Sequence, residues 1–558
     1  MLKRRYSLKI FGMPFKGKLR RLFGIGLVLA ALLAGAAVEF FLKPNKEVSI
    51  GELAKKRVAS YEWHNSAHQI LLVDDPVEAF MLRRQMIREA KQSIDLCTFL
   101  WRDDEAGLTL VQDLIAAAER GVRVRLLGDG IFFMRNPSRV AAIAQASKRL
   151  EVRLYNPINQ QVASIDVGIL ENLMLDFSSV NQRLHLKIFT VDGRRTLIGG
   201  RNVGNEYFGV NNKLNFIDRD ILIKGPAVAD AVDAFELFWK DSRSKTAMKL
   251  DDVAASVPDT EWLQQAPQEA MAEVDEATGR WRSVNRISIW YDRPGLIGDQ
   301  PDYNPQLLAD RLAALVGSAD HSVIIETPYL VLSDRSHALF RNLRSEKPDL
   351  PIRVLTNSLA STDAWQTYVA FQPQLRIMLG DLRLLLHLKK PDTLVERSGN
   401  RDTTSSLHSK TSIIDSRFTA IGSFNWDPRS GVWNAEVMVV IDDESLATDL
   451  SEYLQPLWSP EGAWVVAELE QPIGLEQIDA IGSTVHTTIS EIIGINLWPL
   501  TNTACFEWKG GKMVSPYDPE FHKYYRPVGS YPQVSFIDQK RILTNLLQPI
   551  SRPFTPTL

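Results

Sequence analysis

Short apolar, β-branched runs alternate along this chain with stretches of helical period. In the first half the runs are residues 93–101 (SIDLCTFLW) and 121–129 (GVRVRLLGD), and in the second 322–331 (SVIIETPYLV) and 351–358 (PIRVLTNS). Each has strand length and strand composition. Between them, residues 108–120 (LTLVQDLIAAAER) and 304–316 place apolar positions three and four apart, and Gly121 stops the first of these helices. Strands alternating with helices predict an α/β fold. The same order occurring twice predicts two similar lobes, over residues 46–245 and 286–470. A polar, Asp/Glu/Gln-rich and partly helical connector joins them over 246–285, and an extension follows over 471–558.

The 558 residues are ample for a large core, and 45% hydrophobic with 23% charged residues excludes a mostly disordered chain. Two cysteines, Cys97 and Cys505, support neither a disulfide scaffold nor a Cys-rich zinc site. Net charge is −3, but eight lysines and arginines precede the first acid, Glu39, so the remainder carries −11. A body that acidic is a poor general partner for nucleic acid. After the basic flank, residues 22–38 hold no charged side chain. That stretch predicts a single transmembrane anchor, with a cleaved signal peptide as the alternative. For a bacterial source it predicts a single-pass inner-membrane protein with a periplasmic body.

Each half also carries one polar string. HLKIFTVDGRRTLIGGRN begins at His185 and HSKTSIIDSRFTAIGSFN at His408. His185, Lys187, Asp192, Gly199 and Asn202 match His408, Lys410, Asp415, Gly422 and Asn425 offset for offset. One such string is a weak signal, but two in matching strand contexts are no accident. Alternation along a strand puts each histidine and its lysine on one face.

These strings resemble the paired H-x-K-x4-D motifs of the phospholipase D superfamily, and the likeness runs from about residue 69 to 450. WRDDEAG (101–107), IGGRNVGNEYF (198–208), TNSLASTD (356–363) and IGSFNWDPRS (421–430) resemble its bacterial membrane-bound cardiolipin synthase branch. The resemblance implies a pseudo-twofold α/β fold with mixed sheets flanked by helices and one active site between the lobes. It implies transfer of a phosphodiester through a phosphohistidine, without metal or other cofactor. The catalytic set it implies is His185, Lys187, Asp192, His408, Lys410 and Asp415. His185 would be the nucleophile, His408 the general acid and then base, and the lysines the cations facing phosphate. Asp192 and Asp415 read as turn residues that hold the motifs. Asn202, Asn425, Gly200 and Ser423 are expected at the substrate. Asp220 and Glu436 are expected to orient the histidines, with Asp218 competing for the place of Asp220.

The chain departs from the family pattern at Leu186, at Gly128-Asp129-Gly130 and over 375–405, which touches the substrate rather than the reaction class. His64 and His68 read as a solvated turn, and GGRNVGN does not open a helix as a dinucleotide site requires. The extension interleaves aromatic and basic residues, which suits either packing on the body or a lipid surface. The reading that follows is a phosphatidyltransferase that forms cardiolipin with phosphatidylglycerol as acceptor. Hydrolysis of phospholipid by the same residues is the alternative, and a nuclease or a non-catalytic lipid binder stands further off.

Overall fold

The computed structural model describes residues 49–133, 135–157, 181–265, 280–295, 303–391, 403–469, 503–535 and 537–547. The first half supplies β1 (His64–Val73), β2 (Ser93–Thr98), β3 (Arg123–Asp129), β4 (Leu150–Tyr155), β5 (Arg183–Leu184), β6 (Ile188–Val191), β7 (Arg195–Gly199), β8 (Leu214–Ile217), β9 (Asp220–Lys224) and β10 (Ser244–Thr246). The second supplies β11 (Arg282–Tyr291), β12 (Val323–Glu326), β13 (Ile352–Asn357), β14 (Leu385–Lys389), β15 (Thr404–Leu407), β16 (Thr411–Ile414), β17 (Phe418–Gly422), β18 (Asn434–Ala435) and β19 (Val437–Asp442).

The order β1-β9-β7-β6-β2-β3-β4 in one half repeats as β11-β19-β17-β16-β12-β13-β14 in the other. In each, three parallel strands continue an antiparallel set, a mixed sheet that follows from helical crossovers on one side and tight hairpins on the other. Antiparallel pairing of β1 with β11 fuses the two sheets into one run. It ends at β10 on one edge. At the other, β20 (Ala463–Glu468), β21 (Thr503–Trp508) and β22 (Tyr525–Gly529) extend it. The extension packs Phe506, Phe521 and Tyr525 as a small cluster and buries Tyr531 in the second half's core.

Helices cover each half. α1 (Pro76–Glu89) and α2 (Glu105–Glu119) start at Asp75 and Asp104, whose carboxylates accept from the N–H of Glu78 and Gly107. α3 (Val228–Lys240) and α4 (Glu444–Trp458) bury apolar faces in a core built from both halves, where Ile188, Ile198, Ile221 and Ile223 meet Ile413, Ile421, Val437 and Val439. Leu186 belongs to that core, fully buried.

Two expectations are corrected. His64 and His68 lie on β1 rather than in a solvated turn: His68 is buried and accepts from the Ala227 N–H, and His64 pairs with Asp230. Among the described residues no helix is long and apolar enough to cross a membrane, which corrects the expected single-pass inner-membrane placement. Residues 22–38, on which it rested, lie outside the described residues.

Candidate active site

Two short parallel pairs cross between the halves and deliver the histidines to their interface. β5 pairs with β18 and is followed by His185, whose N–H donates to the Ala435 carbonyl. β15 pairs with β8 and is followed by His408, whose N–H donates to the Ile217 carbonyl. Side-chain bonds then cross the same boundary. His185 Nδ1 hydrogen-bonds Glu436 Oε2 at 2.7 Å, and His408 Nδ1 hydrogen-bonds Asp218 Oδ2 at 2.6 Å. Each half therefore supplies the carboxylate that orients the other half's imidazole, fixing which ring nitrogen stays free.

Asp218, not Asp220, takes the orienting role, and a break in the chain explains why. β8 ends at Ile217 and β9 starts at Asp220, so alternation does not carry across residues 218 and 219. Asp220 faces the helical layer, where its Oδ2 accepts from Arg83 Nη2 at 2.9 Å and Arg201 Nη1 at 3.0 Å. The register gives the same answer: Gly199 faces Asp220 and Gly422 faces Met438, so the residues two places earlier, Asp218 and Glu436, are equivalent.

The glycine and serine expected at the substrate serve those carboxylates instead. A Cβ on Gly200 would lie 2.1 Å from Asp218 Oδ1, so only glycine admits the carboxylate. At the equivalent place Ser423 donates to Glu436 Oε2, while Ser430 donates to its Oε1 at 2.7 Å. Asn202 is also committed: its Oδ1 accepts from the Leu100 N–H and its Nδ2 donates to the Tyr207 hydroxyl. Asn425 is buried, with its Oδ1 unpartnered. Asp192 and Asp415 sit at positive φ, 54° and 56°, in the hairpins that follow β6 and β16. Each collects three backbone N–H donors, from Lys91, Gln92 and Ser93 or from Asp320, His321 and Ser322. They stand five residues beyond the lysines, about 16 Å along a strand, and so leave the catalytic set.

Sequence reading missed a second pair. Asp129 accepts from the Leu184 N–H at 3.0 Å and Asn357 from the Leu407 N–H at 2.8 Å, each holding the residue before a histidine. It also missed Asp292, which accepts from the Glu436 N–H at 3.0 Å. Asp129 and Asn357 end strands whose apolar pattern is plain, and Asp292 follows β11, but nothing in the pattern says which polar residue at a strand end turns inward.

The site is buried, and its charges are shifted by that. His185, Lys187, His408 and Lys410 are all buried. Burial, with Lys187, Lys410 and Arg429, holds His185 well below the usual imidazole range. Burial and Lys410 bring His408 down to about 4 against the pull of Asp218. Burial lowers Lys187 to about 7 and Lys410 to about 8, with Glu436 resisting in both. The two carboxylates differ: burial lifts Glu436 to about 7, whereas for Asp218 the His408, Lys410 and Arg201 charges outweigh burial and hold it below its ordinary value. Two lysines and two imidazoles buried at one interface are able to receive a tetrahedral anion.

The family described as cardiolipin synthase, PLD-like domain, matches residues 84–239 and again 312–458, once in each half. The chain belongs to the phospholipase D superfamily. Within it, cardiolipin synthase C of Escherichia coli (strain K12) is 32% identical over 400 residues, 67% of this chain and 81% of that relative. A cardiolipin synthase of Staphylococcus aureus (strain N315) is 24% identical over 453 residues, 77% of this chain and 75% of its own. The crystal structure of phosphatidylserine synthase from Haemophilus influenzae Rd KW20 superposes with a TM-score of 0.52 at 16% identity, covering 79% of this chain and 97% of that one, a likeness of fold. This phospholipase D-family chain is cardiolipin synthase-like, and it is an enzyme.

Two predictions follow from the site. Asp218→Asn lowers kcat by about 10²–10⁴, as loss of an imidazole-orienting carboxylate does. Asp220→Asn instead strands two buried guanidinium groups and lowers the unfolding free energy by about 3–5 kcal/mol in a urea titration, with kcat/KM of the folded enzyme within threefold of wild type. The opposite assignment of effects restores Asp220 to the site. For the second, sulfate stays a dianion throughout the working range, so its binding reports the protein's protonation alone. Lysines at about 7 and about 8 in the empty site are raised by a bound anion, so they take up protons on binding. The inhibition constant for sulfate weakens as pH rises through 7 and 8; a profile flat over that range refutes lysine ligation.

Proposed function

We propose that this enzyme moves a phosphatidyl group between phospholipids through a phosphohistidine and forms cardiolipin with phosphatidylglycerol as acceptor. His185 Nε2 attacks phosphorus, the bond to the donor's headgroup oxygen breaks, and His408 gives that oxygen its proton. The acceptor hydroxyl then returns a proton to His408, its oxygen bonds phosphorus, and the bond to His185 breaks. Lys187, Lys410 and the side-chain amide of Asn425 face the phosphoryl oxygens. In-line displacement places the leaving and entering alcohols opposite His185, on the His408 side.

The observation that carries this reading is the crossed pair of imidazole–carboxylate bonds, which aims two imidazoles with defined free nitrogens at one interface. The unequal carboxylates support the division of labour. Asp218, held anionic, stabilises the protonated His408 that opens the cycle and is restored at its end, while Glu436, raised to about 7, leaves His185 in the neutral form that attacks. Burial of both imidazoles favours transfer over hydrolysis, because water reaches a phosphoryl-enzyme poorly there.

In cells lacking other cardiolipin-forming enzymes, expression of the chain makes cardiolipin appear in the lipid extract, and His185→Ala abolishes it. Phosphatidic acid without cardiolipin assigns hydrolysis instead. A phosphatidyl ester of p-nitrophenol needs no acid to leave, so the His408→Ala enzyme releases one equivalent of nitrophenol in a burst and stalls, while His185→Ala gives no burst. The reverse pattern exchanges the two roles.

A further inference from the structure

The TNSLASTD string is not used by the mechanism, and it ends beside the histidine that serves the alcohols. Asn357 closes β13 and bridges two neighbours: its Nδ2 donates to the Leu407 carbonyl at 2.8 Å and to the Pro328 carbonyl at 3.2 Å. Leu407 precedes His408 and Pro328 precedes Tyr329, so one amide ties the backbone leading into Tyr329 to the backbone leading into His408. The chain after Asn357 doubles back through a turn in which the Thr362 N–H donates to the Ser358 carbonyl and Ser361 Oγ donates to Asn357 Oδ1. That turn returns Asp363 to Tyr329, whose hydroxyl donates to both carboxylate oxygens at 3.0 Å.

The His185 side of the interface is built differently. Thr98 Oγ1 donates to the Leu100 carbonyl and Thr327 Oγ1 to the Tyr329 carbonyl, so Leu100 is the counterpart of Tyr329. Around His185 the wall is Phe99, whose ring centre is 4.8 Å from the imidazole, and Phe132, 4.5 Å from Phe99. Around His408 stand the rings of Tyr207 at 5.2 Å and Phe216 at 4.8 Å, with the Tyr329–Asp363 pair beyond. The negative charge of Asp363 reaches His408, Lys410 and Tyr207, raising all three. Asp363 is exposed, and one phenol hydroxyl leaves most of its lone pairs open.

We infer that Asp363, held in place by Tyr329, receives the hydroxyls of a glycerol headgroup as it leaves or enters on the His408 side. This rests on the in-line reading above. A carboxylate accepts hydrogen bonds and donates none, so it selects a headgroup rich in donors and disfavours a monohydric alcohol. Asp363 and Tyr329 are thereby specificity residues, distinct from the groups that act on phosphorus.

The test compares wild type, Asp363→Asn and Tyr329→Phe with glycerol, ethanolamine or ethanol as acceptor, and with phosphatidylglycerol or phosphatidylethanol as donor in detergent micelles. The expected result is a fall of about tenfold in the glycerol-over-ethanol ratio of kcat/KM for Asp363→Asn, and a smaller fall for Tyr329→Phe. Asp363→Glu recovers part of the ratio. An unchanged ratio, including equal losses with both alcohols, overturns the inference. Loss confined to ethanolamine assigns the carboxylate to an ammonium group and also overturns it. If wild type hydrolyses both donors but transfers to no alcohol, the proposed transfer fails, while the ratio between donors still decides the headgroup contact.

Discussion

Everything in this molecule turns on an exchange of carboxylates. His185 is oriented by Glu436 and His408 by Asp218, and each bond crosses from one half to the other. A buried imidazole–carboxylate pair loses several kcal/mol if one member is removed, since the other is left uncompensated. Neither half can therefore hold its own histidine in a working tautomer, and the fused sheet, the shared isoleucine core and the crossed strand pairs all serve to keep the partners in register.

Against that common plan, the places where the halves differ carry the chemistry. Equivalent positions hold Asp218 and Glu436, Gly200 and Ser423, Asp129 and Asn357, Leu100 and Tyr329. A serine beside Glu436 feeds it a hydrogen bond, whereas glycine beside Asp218 gives it only room. Burial nonetheless leaves Glu436 near neutrality, while neighbouring cations keep Asp218 a firm anion, and only the His408 side adds a phenol–carboxylate pair to its aromatic rings. A duplicated scaffold brings two like groups together; divergence at its rim makes them unlike.

The fold class and the two histidine–lysine pairs were legible because they rest on period-two alternation and on repetition, and both survive in a bare string of letters. Asp220 is what entry into a strand after the motif points to, and the letters do not show that the preceding strand ends at Ile217 and leaves Asp218 to turn to the histidine. Asn202 and Ser423 were read as free donors because a sequence does not show that Leu100, Tyr207 or Glu436 already claims them. Asp129, Asn357 and Asp292 stayed hidden for the converse reason. Their work is to satisfy backbone groups of residues 50 to 144 positions away, which no local pattern encodes.

The pairing of β1 with β11 has a bearing on how the protein is made. During synthesis the first half emerges with β1 lacking a neighbour along one side and His185 without its acceptor. Only when β11 and β19 have followed does the ladder close and Glu436 arrive. A nascent chain thus holds neither crossed imidazole–carboxylate bond until both halves have been made.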